Sequence, residues 1–141
     1  MKKPQFLTGS EAAMMISDNS TVATIGMTLV SASETILKAI ENRFLTEGHP
    51  NGLTLVHSCG QSDRDRGIQH FAHEGMLRRI IGGHWGLQPK MMELISQNKI
   101  LAYCIPQGQF AQLYRSMAGG EPGKITKVGL GTFIDPRIDG G

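Results

Sequence analysis

The side chains best able to bind a metal or move a proton crowd into one stretch of this sequence: His70, His73, Glu74 and His84. Their order, HxxHE, is neither HExxH nor HxxEH, the arrangements in which two histidines and a glutamate serve one zinc site. Two histidines three residues apart make an incomplete shell, so no metal is expected. Local packing and hydrogen bonding around Trp85, or a subunit contact, account better for these imidazoles. Just upstream, Arg64 and Arg66 could hold a phosphate or carboxylate by bidentate N–H contacts. Asp63 and Asp65 alternate with them, and mixed charge in a loop more often pairs with itself on a solvated surface.

Two further places suit a ligand because of where they fall. Gly26 and Met27 stand at the end of an apolar run and ahead of a helical pattern, where the 26–33 loop can face a ligand; alone, such a glycine is usually a turn. The pattern is not GxGxxG, so no dinucleotide is implied. Pro106-Gln107-Gly108 also ends a strand and opens a helix. The Gln107 amide can reach a carbonyl or carboxylate, whereas the bland alternative is a helix-start turn in which Pro106 fixes φ and Gly108 relieves strain. Cys59 and Cys104 make no CxxC and no Cys/His spacing, which reads as two small, reduced, core-lining thiols. Met14-Met15 and Met91-Met92 lie on helix faces and read as core filling.

The elements that must position these residues alternate between short β-branched runs and amphipathic stretches. Helices are expected over 11–16 (capped by Ser10), 34–44, 70–75, 89–98 and 109–117. In the second of these Ile36, Leu37, Ile40 and Phe44 should face inward, and Lys38, Glu41 and Arg43 outward. Strands are expected over 21–25, 53–57, 79–82, 100–105 and 125–128. Strands separated by helices imply an α/β fold with an open, largely parallel sheet and helices on both faces. Ligands in such sheets sit beyond the carboxyl ends of the strands, which singles out loops 26–33, 58–67, 82–88, 106–108 and 129–137.

The bulk properties narrow the function by exclusion. The chain has 141 residues, one domain's length, with 40% hydrophobic and 18% charged residues, so disorder is not indicated. A net charge of +2 is too small to make a field for nucleic acid or a membrane. No apolar window reaches transmembrane length, and Met1-Lys2-Lys3-Pro4 leads into no signal core, so a cytoplasmic location is expected. The closing Ile138-Asp139-Gly140-Gly141 reads as a loop with no helix after it, which implies truncation or completion by another chain.

Three segments carry a resemblance. RDRGIQHFAHEGMLRRIIGGHW over 64–85, Ile105-Pro106-Gln107-Gly108, and KITKVGLGTFIDPR over 124–137 together resemble the family I CoA-transferases of the propionate/acetate type. The likeness runs collinearly from Ser10 to Gly141. It implies an N-terminal portion, residues 1–141, of an enzyme made of two related α/β halves. Such enzymes move CoA between a short-chain acyl-CoA and a carboxylic acid, with no metal and no cofactor beyond the CoA carried on the substrate. A glutamate in the second half forms a glutamyl-CoA thioester. Here no glutamate is followed by Asn-Gly or Ser-Gly, so no catalytic residue is assigned and the isolated chain is expected to be inactive.

The resemblance makes Gly26, Met27, Arg64, Arg66, Gln107 and Gly108 the candidate substrate-binding residues. Its partners would be the acyl-CoA, the carboxylate and the C-terminal half, with homo-oligomers expected. One departure from the family pattern stands at Gly26–Ser33, where Met27, Ser31 and Ser33 replace Phe, Gly and Pro, so a less tight loop is expected. A non-catalytic, stand-alone or regulatory subunit that binds a partner half or a small anion is the alternative. A phosphosugar isomerase or deaminase relative would need catalytic carboxylates on strand-end loops, where only Asp63 and Asp65 stand.

Overall fold

Four short apolar runs pair side by side in the order in which the chain produces them. A computed structural model describes residues 4–138, and in it β1 (Thr21–Thr24), β2 (Leu53–His57), β3 (Leu77–Gly82) and β4 (Leu101–Cys104) form one parallel sheet. Neighbouring registers align Thr24 with His57, His57 with Gly82, and Gly82 with Cys104. All four strands therefore end in one row, and the loops that follow them share one edge. Parallel pairing forces a crossover between successive strands, and the right-handed rule puts crossovers that advance in one direction on one face.

That face is the core. Val22, Leu55, Ile80 and Ala102 are register neighbours on it, and α2 (Glu34–Glu47) adds Leu37 and Ile40. A 3₁₀ helix, Gly67–Phe71, adds Ile68 and Phe71, and α3 (Pro89–Ser96) adds Met91. The α4 helix (Gln107–Ala118) follows the last strand and buries Phe110 apart from this cluster. The α/β class and the open parallel sheet agree with the sequence reading.

Several local expectations change. Thr8, not Ser10, caps α1 (Gly9–Met14), through a reciprocal box with Glu11. Met14 and Met15 are exposed rather than core-filling, because the helix is one and a half turns long and spends its buried side on Ala13. Arg43 does not point outward. Its Nη1 donates to the Ala13 and Ile16 carbonyls at 2.9 and 2.8 Å, so α2 closes the C-terminal end of α1. The helix expected over 70–75 is the earlier 3₁₀ segment, entered through Gly67 at φ 73°. The fifth strand over 125–128 does not form. After α4 the chain passes through Gly120 and Gly123 at positive φ and leaves Ile125 99% exposed, with no sheet edge beside it.

The second sheet face is thinly covered among the described residues. Leu101 is 56% exposed and Ile25, just past β1, is 69% exposed. Arg79 lies over the Tyr103 ring at 5.8 Å, which shields part of that ring. Ile134 and Pro136 lie against the same face at β4, leaving an open cleft of about 460 Å³ beside Arg79, Ile81 and Tyr103. The outer edge of β1 has no neighbour strand among the described residues. The expectations for Met1-Lys2-Lys3 and for Asp139-Gly140-Gly141 lie outside the described residues. No described helix is long and apolar enough to cross a membrane.

Candidate functional site at the strand ends

The loops after β1, β2 and β3 are stitched to one another by backbone and imidazole hydrogen bonds. After β1, Met27 and Val30 bond each other in both directions, N to O at 3.1 and 2.9 Å, with Thr28 at φ 52° and Ser31 at φ 64°. The loop is therefore tight, contrary to the expectation from its lost glycine. Thr28 and Ser31 adopt the left-handed conformation that glycine usually supplies, at a cost of about 1–2 kcal/mol each. Gly26 must stay a glycine: at φ 138°, a Cβ there would lie 2.7 Å from the Val30 carbonyl oxygen.

Gly60, after β2, joins its two neighbours. Its carbonyl accepts from the Thr28 N–H at 3.0 Å, and its own N–H donates to His84 Nε2 at 3.2 Å. After β3, Gly83 is packed so closely by the Ser58 carbonyl and the Gln107 side chain that a Cβ has no room. Cys104 Sγ donates to the Gly83 carbonyl at 3.4 Å. Gln107 is thus seated against Gly83, while the space around Gly108 is open. Beside them an apolar cleft of about 380 Å³ is lined by Gly83, Cys104, Pro106, Gly129, Phe133 and Ile134. Of the sequence candidates, Gly26, Met27, Gln107 and Gly108 all stand on this rim.

The two arginines behave differently. Arg66 donates through Nε and Nη2 to Asp63 Oδ2 at 2.9 and 2.7 Å, and its backbone N–H bonds Asp63 Oδ1. The backbone bond from Arg66, followed by its guanidinium, holds the Asp63 carboxyl down at about 2. Arg66 is engaged within its own loop, which is the bland reading of the alternating charges. Arg64 holds φ 84°, its N–H bonded to Ser62 Oγ and its carbonyl accepting from Gln69 Nε2, and its side chain is exposed.

His70 and His73 bond carboxylates of α2. His70 Nε2 contacts Glu34 Oε1 at 2.7 Å and Nδ1 contacts Glu41 Oε2 at 2.6 Å, while His73 Nε2 meets Glu41 Oε1 at 2.7 Å. Glu34 Oε2 also accepts from the Gly67 N–H at 3.0 Å. An imidazole between two carboxylates must donate from both nitrogens, so His70 is held as the imidazolium. Glu34 and Glu41 share one face of α2 two turns apart, a spacing present in the sequence, and Glu41 is half-buried rather than outward. The clamp fixes α2 to the 3₁₀ helix. No group of three or more candidate metal ligands occurs among the described residues.

This clamp gives a pH dependence with a definite sign. Burial lowers the His70 pKa, but the bonds to Glu34 and Glu41 outweigh it and the net shift is upward from 6.5. Burial raises Glu41, the two imidazoles outweigh it, and the net shift is downward from 4.5. The His70 contribution is complete below 6.5 and is lost as pH rises through its raised value. The Glu41 contribution is complete above 4.5 and is lost as pH falls through its lowered value. His57 works the other way: burial, against the Cys59 carbonyl bond, holds it neutral with a pKa of about 4, so it costs stability as pH falls below 6.5. Comparing wild type with His70→Gln cancels the His57 part. The gap in Tm should be widest between pH 4.5 and 6.5 and shrink on the alkaline side; a gap constant with pH would show that the clamp is not ionic.

Comparison with known proteins adds to this geometry. A family model described as Coenzyme A transferase matches residues 8–140. Caffeate CoA-transferase of Acetobacterium woodii is 40% identical over 138 residues, which cover 97% of this chain and 26% of that protein. Acetate CoA-transferase YdiF of Escherichia coli K12 is 38% identical over 137 residues, again 26% of its length. The crystal structure of YdiF from E. coli O157:H7, a thioester complex with CoA, superposes with a TM-score of 0.89 over 96% of this chain and 28% of that one, at 37% identity. The chain therefore spans about a quarter of the length of these two curated relatives.

Proposed function

The chain belongs to the Coenzyme A transferase family, and from that premise we propose that it forms one wall of a short-chain acyl-CoA:carboxylate CoA-transferase site, the nucleophile being supplied by polypeptide outside these residues. One observation supports this above others. The glutamates present are committed to local structure: Glu11 to the α1 cap, Glu34 and Glu41 to the clamp, Glu47 to Arg43, Glu74 to Lys99 and Glu93 to Gln97. Glu121 sits exposed in the turn after α4. None stands free on the rim where Gln107 and Gly83 meet.

In this reading a carboxylate of the completing polypeptide attacks the acyl-CoA carbonyl. The CoA thiolate leaves, and a mixed anhydride remains. The thiolate then attacks the glutamyl carbonyl, which expels the acyl carboxylate and leaves a glutamyl-CoA thioester; the acceptor acid runs the sequence in reverse. The wall described above contributes donors and shape: the Gln107 amide toward a carbonyl oxygen, the tight 26–31 backbone, and the apolar cleft beside Pro106 for the acyl chain. The thinly covered sheet face and the bare β1 edge are where the completing polypeptide packs. Without it, the chain is expected to self-associate through that face.

The test is CoA exchange from acetyl-CoA or propionyl-CoA to acetate, on the 141-residue chain and on the chain joined to or mixed with a family C-terminal half. Activity only in the completed form is expected. Exchange by the short chain alone would place the nucleophile among the carboxylates above and overturn the proposal. Silence in both forms across a panel of acyl-CoA donors would favour a non-catalytic subunit.

A further inference from the structure

The strand-end rim depends on one side chain that the proposed chemistry does not use. His84 Nε2 accepts from the Gly60 N–H, and the Gly60 carbonyl accepts from the Thr28 N–H. A single imidazole therefore connects the loop after β3 to the loop after β2 and, through it, to the loop after β1. The approach is close: a Cβ on Gly60 would lie 2.5 Å from His84 Cε1, 2.9 Å from Nε2 and 3.1 Å from Gln88 Nε2. Gly60 and Gln88 are buried, so no solvent stands ready to replace this acceptor.

We propose that His84 is a positioning residue of the rim, acting only as the neutral imidazole whose Nε2 lone pair holds the Gly60 amide and, through Gly60, the turn at Met27 and Thr28. The inference rests on the functional reading above only in calling the rim a substrate wall. Accepting a hydrogen bond at Nε2 requires that nitrogen to be bare; the imidazolium has donors at both nitrogens and cannot accept. Protonating His84 therefore breaks the link, and the freed Gly60 N–H is a buried donor without a partner. The titratable neighbour facing His84 from another element is His57 at the end of β2, which burial keeps neutral above about 4. The Gln88 amide beside it is neutral. No carboxylate bonds or ion-pairs with His84 among the described residues, unlike His70 and His73.

Hydrogen exchange at individual amides, read by NMR on the full 141-residue chain, separates this role from a merely structural one. At about pH 8 the Gly60 and Thr28 amides of the wild type should be protected. His84→Ala should lose that protection by roughly tenfold or more, while the amides of β2 and β3 keep theirs. His84→Gln, whose carbonyl oxygen reaches about as far as Nε2, should retain it. An unprotected Gly60 in the wild type, or Gly60 protection in His84→Ala equal to that of the wild type, would overturn the proposal. These readouts need no turnover, so they can fail while CoA exchange by the completed enzyme succeeds, and the reverse.

Discussion

Gly67→Ala is expected to destabilise the chain by about 3 kcal/mol or more, a large share of the stability of an ordinary, marginally stable domain. Gly67 opens the 3₁₀ helix at φ 73°, and a Cβ there would drive into the Gln61 carbonyl group, with its carbon at 2.9 Å and Ser62 Cα at 3.2 Å. The obstacle is backbone, which cannot rotate away as a side chain can. That carbonyl is also pinned by the Ile68 N–H, and Gly67 itself is held by its own N–H donating to Glu34. Gly75→Ala is the control: φ is 86°, but nothing lies within 4 Å of the new carbon. It should cost about 1 kcal/mol. Urea denaturation of both variants checks the contrast, and equal losses would mean that the positive φ alone, not the clash, decides.

Phe71→Ala should cost about 3–5 kcal/mol. The ring is fully buried in the cluster that joins α2, the 3₁₀ helix and the sheet, so its removal leaves a cavity walled by elements tied together elsewhere. The Glu34–His70–Glu41 clamp holds the same two elements at their rim and limits the collapse that would soften the loss. Phe133→Ala, on a ring 57% exposed, should stay within about 0.5 kcal/mol. Urea denaturation reads both changes, and a small effect at Phe71 would show that the core there repacks freely.

The strands were legible because β-branched runs such as Leu53–His57 are short, apolar and bounded by turn residues. The same rule failed at 125–128, where Ile125 and Val128 resemble a strand but meet no sheet edge; pairing is a property of the partner as much as of the segment. The rim was legible by topology, since strand ends in a parallel sheet converge whatever their side chains. What stayed hidden were links between residues distant in sequence. Nothing near His84 marks Gly60 as its partner, and nothing near His70 marks Glu34 and Glu41, apart from their common helix face. The alternating Asp and Arg residues over 63–66 were readable because Asp63 and Arg66 are neighbours along the chain.

The strand order has a consequence for a chain emerging from the ribosome. Each strand after the first pairs with the one synthesised just before it, so the sheet can grow vectorially. Each crossover joins consecutive strands, so every pairing closes a segment local in the sequence. Two strands, β1 and β4, keep an edge without a neighbour strand among the described residues. A nascent chain would thus add to its core strand by strand while exposing an unpaired edge at each stage, which makes the interval before its edges are covered its most aggregation-prone period.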